Sequence, residues 1–284
     1  MKTVLVTGAN GQLGQCIRKI ENQHADIAFH FVSINELDIT DTEKVQALFA
    51  NHAFDYCVNC AAYTNVELAE DEEELAFLVN AEAAKHLAEA CAKHNVTLLH
   101  ISTDYVFDGE KIAPYVETDA TNPISVYGAS KLKGEQNVQE VLDNYFIIRT
   151  SWLYAEFGKN FYRTMVQKAK EKANLTITTE QTGTPTNAND LAALIVKIIT
   201  TDNTNYGIYH FSNEGEATWY DFTKEIIQNM NLAEADQPSL KPVDSYKTKA
   251  ARPKHSVLDK TKVRSIIKTI SWQESLRNLM KNDH

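Results

Sequence analysis

Apolar residues along the chain fall into two alternating rhythms. Short apolar or β-branched runs at Val4–Val6, Ile27–Ser33, Asp55–Cys60 and Thr97–Ser102 read as strands buried on both faces. Between them, apolar positions recur at helical spacing. One such stretch runs from Gln12 to Ile20, and another reaches Asn51 from a cap at Asp41, with Val45, Leu48 and Phe49 on one face. A third, long one runs from Glu72 to His94, and a helix over Tyr127–Asp143 leads into a strand at Tyr145–Arg149. Strand and helix alternating through short connections predict an α/β fold, a doubly wound and mostly parallel sheet of the Rossmann type. Right-handed crossovers then place ligands at the carboxyl ends of the strands, in the loops after Val6, Cys60 and Ser102.

Beyond Trp152 the rhythm shortens. Helical stretches at Asn160–Lys172, Asn189–Thr200 and Trp219–Met230 alternate with extended ones at Leu175–Thr179 and Tyr206–Ser212. We expect a first domain over residues 1–150, rejoined by roughly 185–212, and a smaller C-terminal α/β domain made mainly of residues 151–284.

Composition narrows the function. With 43% hydrophobic and 23% charged residues among 284, the chain is an ordinary globular one rather than disordered. A formal net charge of −10 argues against a nucleic-acid partner, which needs clustered Lys and Arg, yet leaves room for a small anion held by a few cations and helix N-termini. The apolar run Thr3–Thr7 is too short for a signal or a membrane span, so no membrane partner is expected. Cys57 and Cys60 form a C-x-x-C, but in a strand and without a second ligand pair. They and Cys16 and Cys91 read as small buried hydrophobes, which suits a reducing cytoplasm.

Candidate chemistry lies where the strands end. Thr7-Gly8-Ala9-Asn10-Gly11-Gln12-Leu13-Gly14 follows the first strand and opens the first helix. Gly8 permits the tight turn, Gly11 lets the backbone approach a pyrophosphate, and Gly14 lets helix and strand pack closely. The first domain therefore reads as dinucleotide-binding. Asp38 can accept a hydrogen bond from an adenine amino group with Ile39 beneath the ring, or belong to an acidic capping cluster. No cation stands in Val32-Ser33-Ile34-Asn35-Glu36 to meet a 2′-phosphate, which favours NADH and leaves NADPH open.

Tyr127 and Lys131 sit at i and i+4 and share one helix face. A nearby ammonium is expected to lower the phenol pKa toward working pH, so that Tyr127 can protonate a ketone oxygen while a nicotinamide gives hydride to its carbon. Thr103, at a strand end, would hydrogen-bond the developing alkoxide or the Tyr127 oxygen. Trp152, Phe157, Phe161 and Tyr162 offer aromatic surface, and Lys159, Asn160 and Arg163 offer donors. Arg252, with Lys249 and Lys254, forms a local basic cluster suited to a diphosphate.

These residues resemble the extended short-chain dehydrogenase/reductase family over almost the whole chain. Within it they look most like reductases of dTDP-linked 4-keto-6-deoxy sugars. The resemblance rests on Gly8–Gly14, Ala61-Ala62-Tyr63-Thr64-Asn65-Val66 and Ser102-Thr103-Asp104-Tyr105-Val106-Phe107-Asp108-Gly109. It continues through Tyr127–Lys131, Arg149-Thr150-Ser151-Trp152, Gly183-Thr184-Pro185-Thr186 and Arg252-Pro253. It implies reduction of the C4 ketone of dTDP-6-deoxy-L-lyxo-4-hexulose to dTDP-L-rhamnose with NADH or NADPH. By position, Thr103, Tyr127 and Lys131 match the catalytic residues. Gly11, Gln12, Leu13, Asp38, Ile39, Ala61, Ala62 and Tyr63 match cofactor contacts. Tyr105 and Trp152 match sugar contacts, and Asp104, Asn160 and Arg252 are placed in the substrate site with them.

The chain departs from the family pattern where some members carry a Glu that helps bind Mg at a dimer interface. Cys16 stands there, and Asn189 is neutral near a second expected acid, so no metal is expected and the chain is read as a monomer or homodimer. Glu180 replaces an Asp that often precedes Gln181. A dehydratase of the superfamily would carry Asp-Glu after the Thr, whereas Asp104-Tyr105 follows here, which favours a reductase over a dehydratase or epimerase. A non-enzymatic, cofactor-binding regulatory subunit would have no need of the intact Thr103, Tyr127 and Lys131.

Overall fold

The computed structural model describes residues 1–282. The first half alternates as β1 (Lys2–Thr7), α1 (Gln12–Ile20), β2 (Ile27–Val32), α2 (Thr42–Asn51), β3 (Tyr56–Asn59), α3 (Val66–Ala69), α4 (Glu73–Phe77), α5 (Ala83–His94), β4 (Thr97–Thr103), α6 (Val126–Val141) and β5 (Tyr145–Thr150). Then follow β6 (Leu153–Tyr154), α7 (Phe161–Lys170), β7 (Leu175–Thr178), β8 (Thr182–Gly183), β9 (Thr186–Asn187), α8 (Ala188–Thr200), β10 (Gly207–Phe211), β11 (Ala217–Thr218), α9 (Trp219–Asn229), β12 (Leu240–Val243) and α10 (Trp272–Asn282).

Six strands form one parallel sheet in the order β10-β5-β4-β3-β1-β2. The winding reverses at β1, which pairs with β2 on one side and β3 on the other, so the ligand crevice opens at the carboxyl ends of β1 and β3. Alternation along β1 sends Val4 and Val6 into a core with α1 and α8, and Leu5 into a core with α2 and α5. Both faces are covered, which is why the strands read as apolar runs rather than alternating ones. A third core joins α7, α9 and α10 through Tyr162, Phe222, Ile226, Trp272 and Leu276. No helix among the described residues is long and apolar enough to cross a membrane.

The stretch read as one helix over Glu72–His94 is interrupted by a π-helical segment, Leu78–Glu82, between α4 and α5. Its cause is tertiary. A Cβ on Gly134 of α6 would lie 2.1 Å from the Asn80 carbonyl oxygen, so α6 packs backbone to backbone against the widened turn. The other helices and strands expected from the sequence fall within a few residues of their limits, as with α6 over 126–141 and α8 over 188–200, while β12 and α10 were not expected.

Candidate active site

The glycine-rich turn lies in the crevice beside β3. Gly8 has φ +64°, and a Cβ there would stand 2.6 Å from the Ala61 nitrogen, so a side chain would collide with the loop after β3. A Cβ on Gly14 would meet the Gly8 carbonyl oxygen at 2.7 Å. Gly11 is the exposed N-cap of α1; a Cβ there would press on the Gly8 carbonyl oxygen at 3.1 Å, and no side chain caps the helix. The start of α1 is thus left without a side-chain cap, a cradle that fits a dinucleotide pyrophosphate.

On the other side of the crevice, Tyr63 is held by Asn80. Asn80 Oδ1 accepts from the Tyr63 N–H at 2.9 Å, and its Nδ2 donates to the Tyr63 carbonyl at 3.0 Å and to Ser130 Oγ at 3.0 Å. The π-helical turn thus aims a buried Asn at the loop carrying Ala61, Ala62 and Tyr63, a common setting for such turns. Sequence reading missed Asn80; the available signal was an amide on an otherwise apolar helix face. Asp38 Oδ1 accepts from the Thr40 N–H and hydroxyl at 3.0 and 2.8 Å, while Asp41 caps α2 and Ile39 is buried.

Thr103 ends β4, and Tyr127 and Lys131 lie on the first turns of α6, which Ser125 caps by accepting from the Gly128 N–H. A Cβ on Gly128 would stand 2.2 Å from the Tyr105 carbonyl oxygen, so this glycine allows the helix start to reach Tyr105. The rings of Tyr105 and Tyr127 meet edge to face at 5.5 Å. Thr103 Oγ1 donates to Asp104 Oδ1 at 3.0 Å and accepts from the Tyr105 N–H at 3.2 Å. Its hydroxyl also shares a hydrogen bond with that of Tyr127. Asp104 is 1% exposed and receives the Ser256 hydroxyl on its second oxygen at 2.6 Å; burial pushes its carboxyl up to about 6, against the pull of these hydrogen bonds.

The protonation of the pair departs from expectation. The Tyr127 phenol is pushed up rather than down, because its burial outweighs the hydrogen bond with Thr103, and the nearby Asp104 charge adds to the rise. Lys131 does not act on it as a lowering charge. Its Nζ donates to the Ile101 carbonyl at 2.6 Å, and burial lowers it to about 8 against the opposing influence of Glu135. A neutral phenol is the form that can give a proton to a ketone. Glu135, one turn beyond Lys131, is itself buried against Arg149, accepting from Nε at 3.0 Å and from Nη2 at 2.7 Å, and it also accepts from the Ser102 hydroxyl. The i, i+4 spacing from Lys131 was its only sequence signal.

The segment after β12 returns to this site. Arg252 Nη2 donates to Glu67 at 2.6 Å and Nη1 to the Tyr105 hydroxyl at 3.3 Å, while its buried Nε has no hydrogen-bond partner. The expected basic cluster is not a free one: Lys249 pairs with Asp71, and Lys254 stands 3.9 Å from Glu180, which leaves Arg252 as the cation facing Tyr105. Asn160 caps α7, and its amide donates to Gln12 Oε1 and the Ala155 carbonyl, both at 2.8 Å, so both ends of the side chain are engaged within the protein. Lys159 and Arg163 line a surface groove of about 610 Å³ along α7. Phe161 packs on Trp219 at 4.5 Å, Tyr162 is buried in the third core, and Phe157 is half-buried beside the first. Trp152 follows β5 with φ +46° and stacks on Trp219, a residue the sequence reading left without a role. Near the two departures from the family pattern, the buried Cys16 thiol is raised by burial, and Asn189 donates to Glu156 at 2.9 Å.

A parallel sheet whose fourth strand ends in Thr103, with Tyr127 and Lys131 one turn apart on the next helix, has the plan of an extended short-chain dehydrogenase/reductase, and the chain is an oxidoreductase of that class. Its sequence matches the RmlD substrate binding domain over residues 1–284, and it belongs to that family. It is 37% identical to the dTDP-4-dehydrorhamnose reductase of Aggregatibacter actinomycetemcomitans, with 98% of each chain covered. It is also 37% identical to a probable dTDP-4,6-dihydroxy-2-methyloxan-3-one 4-ketoreductase of Streptomyces antibioticus, covering 96% of this chain and 92% of that one. Among solved structures it resembles the dTDP-4-dehydrorhamnose reductase of Bacillus anthracis in complex with NADP, with 38% identity, a TM-score of 0.94, and 99% and 100% of the two chains covered.

Proposed function

We propose that this chain reduces the C4 ketone of dTDP-6-deoxy-L-lyxo-4-hexulose to dTDP-L-rhamnose, drawing on NADH or NADPH. The observation that carries the reading is a neutral, Thr103-linked Tyr127 beside Tyr105 and Arg252. Full-length relatives bearing the reductase name add to it. In this reading residues 1–150, with roughly 185–212, bind the dinucleotide, and residues 151–284 mainly bind the sugar nucleotide. The four free cysteines suit work in the cytoplasm.

When bound, the dinucleotide supplies a hydride to the ketone carbon. Gly8, Asn10, Gly11, Gln12, Leu13 and Gly14 would hold its pyrophosphate at the start of α1. Asp38 and Ile39 would receive the adenine, and Ala61, Ala62 and Tyr63 wall the crevice after β3. Tyr127 donates its phenolic proton to the ketone oxygen. Thr103, whose single hydroxyl proton goes to Asp104 at rest, would turn that proton to the phenolate oxygen or the alkoxide as charge develops there. Lys131 lies on the same helix face with its ammonium donating to the Ile101 carbonyl, and the phenolate regains its proton from solvent. Tyr105 and Trp152 border the hexulose, and Arg252, bonded to the Tyr105 hydroxyl, is the cation for the diphosphate.

Reduction of a different dTDP-linked 4-keto sugar is the second reading, favoured by the Streptomyces antibioticus relative. Loss of reduced-nicotinamide absorbance, measured with enzymatically made dTDP-4-keto-6-deoxy-glucose with and without a 3,5-epimerase, separates the two. Oxidation that requires the epimerase is expected. Oxidation without it selects the second reading, and none with either dinucleotide overturns both.

A further inference from the structure

Trp152 occupies a backbone conformation that a bulky side chain rarely adopts, with φ +46°. Such a conformation persists only where the surroundings over-determine it. Two neighbours do so. The Trp219 indole lies parallel to that of Trp152, with ring centroids 3.7 Å apart and planes 6° from parallel. On Gly183, a Cβ would stand 2.7 Å from Trp152 Cε2 and 2.8 Å from its Nε1, so only glycine leaves room for the indole. Trp219 is fixed in turn: its Nε1 donates to Gln181 Oε1 at 2.9 Å, and Phe161 packs against it at 4.5 Å. The pieces converge through one small ladder. The antiparallel pairing of β8 with β11 sets Gly183 opposite Ala217 and Thr182 opposite Thr218, which places the start of α9, and with it Trp219, beside Gly183.

We propose that Gln181, Gly183 and Trp219 form a clamp that sets the pose of Trp152 at the substrate site, making Trp219 a positioning residue for sugar recognition. This rests on the reading of Trp152 as bordering the hexulose. Trp152 follows Thr150, which pairs with Thr103 across β5 and β4, so its indole is tethered two residues from the strand ends that carry the chemistry. Trp219 acts only through Trp152. Its loss therefore loosens the indole and weakens sugar binding, while the proton donor and the dinucleotide crevice stay as they are.

The test uses the full-length enzyme. Two parallel indoles at this distance couple their electronic transitions, so the wild type should show an exciton couplet in circular dichroism that disappears in both Trp219→Phe and Trp152→Phe. For Trp219→Ala, KM for the keto-sugar nucleotide should rise roughly tenfold, the scale of one lost aromatic pair, with kcat and the NADPH dissociation constant little changed. Trp219→Phe keeps an aromatic face and should restore most of KM. Gln181→Leu keeps the indole but frees it, and should give a smaller rise in KM with a weakened couplet. Wild-type turnover with an unchanged couplet or an unchanged sugar KM in these variants overturns the clamp. A fall in kcat and in dinucleotide affinity that Trp219→Phe does not relieve overturns it as well, since that marks a merely structural residue. Absence of wild-type turnover overturns the reading on which the clamp rests, and the couplet separates that failure from a failure of the stack.

Discussion

Lys131 is 2% exposed, and loss of water weakens its ammonium enough to bring it to about 8, while the same loss pushes the Tyr127 phenol up. Both shifts have consequences. Between about 8 and the ordinary lysine value of 10.5 the unfolded chain holds a proton at Lys131 that the folded one releases, so this group makes stability rise with pH across that window. Below about 8 both states are protonated, and burying the cation costs up to roughly 3 kcal/mol. Lys131→Met should therefore raise the melting temperature at neutral pH while removing turnover; a lower melting temperature would show that the bond to Ile101 matters more than the buried charge. In the wild type, reduction should hold through neutral pH and decline above about 8, read from a pH profile of kcat. Tyr127→Phe should lower kcat by roughly 10²–10⁴ with the dinucleotide dissociation constant near normal. Unchanged turnover there would remove Tyr127 as the acid.

At the scale of elements, α6 does two jobs along one face. Its first turns carry Tyr127 and Lys131, and its next carries Glu135 into a fully buried pair with Arg149 of β5. Removing one member of such a pair strands the other charge away from water. Glu135→Ala should cost about 3–5 kcal/mol, seen as a lower urea midpoint, and should loosen Ser102 beside Thr103. A loss below about 1 kcal/mol would mean that Arg149 finds another partner, and His210, 3.4 Å from it and held neutral by burial, is the neighbour to test. The π-helical turn before α5 belongs to the same scale. Periodicity predicted one long helix because apolar spacing does not register a single inserted residue, whereas the approach of Gly134 to Asn80 decided where the turn widens.

At the scale of the whole molecule, the C-terminal segment closes the site. Ser256 reaches Asp104, Leu258 bridges to Tyr115, and Arg252 ties Glu67 to the Tyr105 hydroxyl, partners separated by well over a hundred residues. Arg252→Ala should raise KM for the sugar nucleotide roughly tenfold or more and leave the dinucleotide dissociation constant nearly unchanged, as titration of each ligand alone would measure. Equal losses for both ligands would place Arg252 in the scaffold rather than at the diphosphate.

The alternation of strands and helices, the glycine turn at the end of β1 and the Tyr127–Lys131 spacing are legible in the residues alone, because each follows from local backbone geometry or from one element's periodicity. The carboxyl-end location of the crevice followed from the handedness of crossovers alone. Which groups face each other there was set by packing between distant elements: Asn80 on Tyr63, Glu135 on Arg149, Trp219 on Trp152, Arg252 on Tyr105. Such packing also decided the direction in which Tyr127 titrates. The expected effect of a neighbouring ammonium was a sound rule about charges, but burial is a property of everything packed around a group, and here it outweighed the nearest charge.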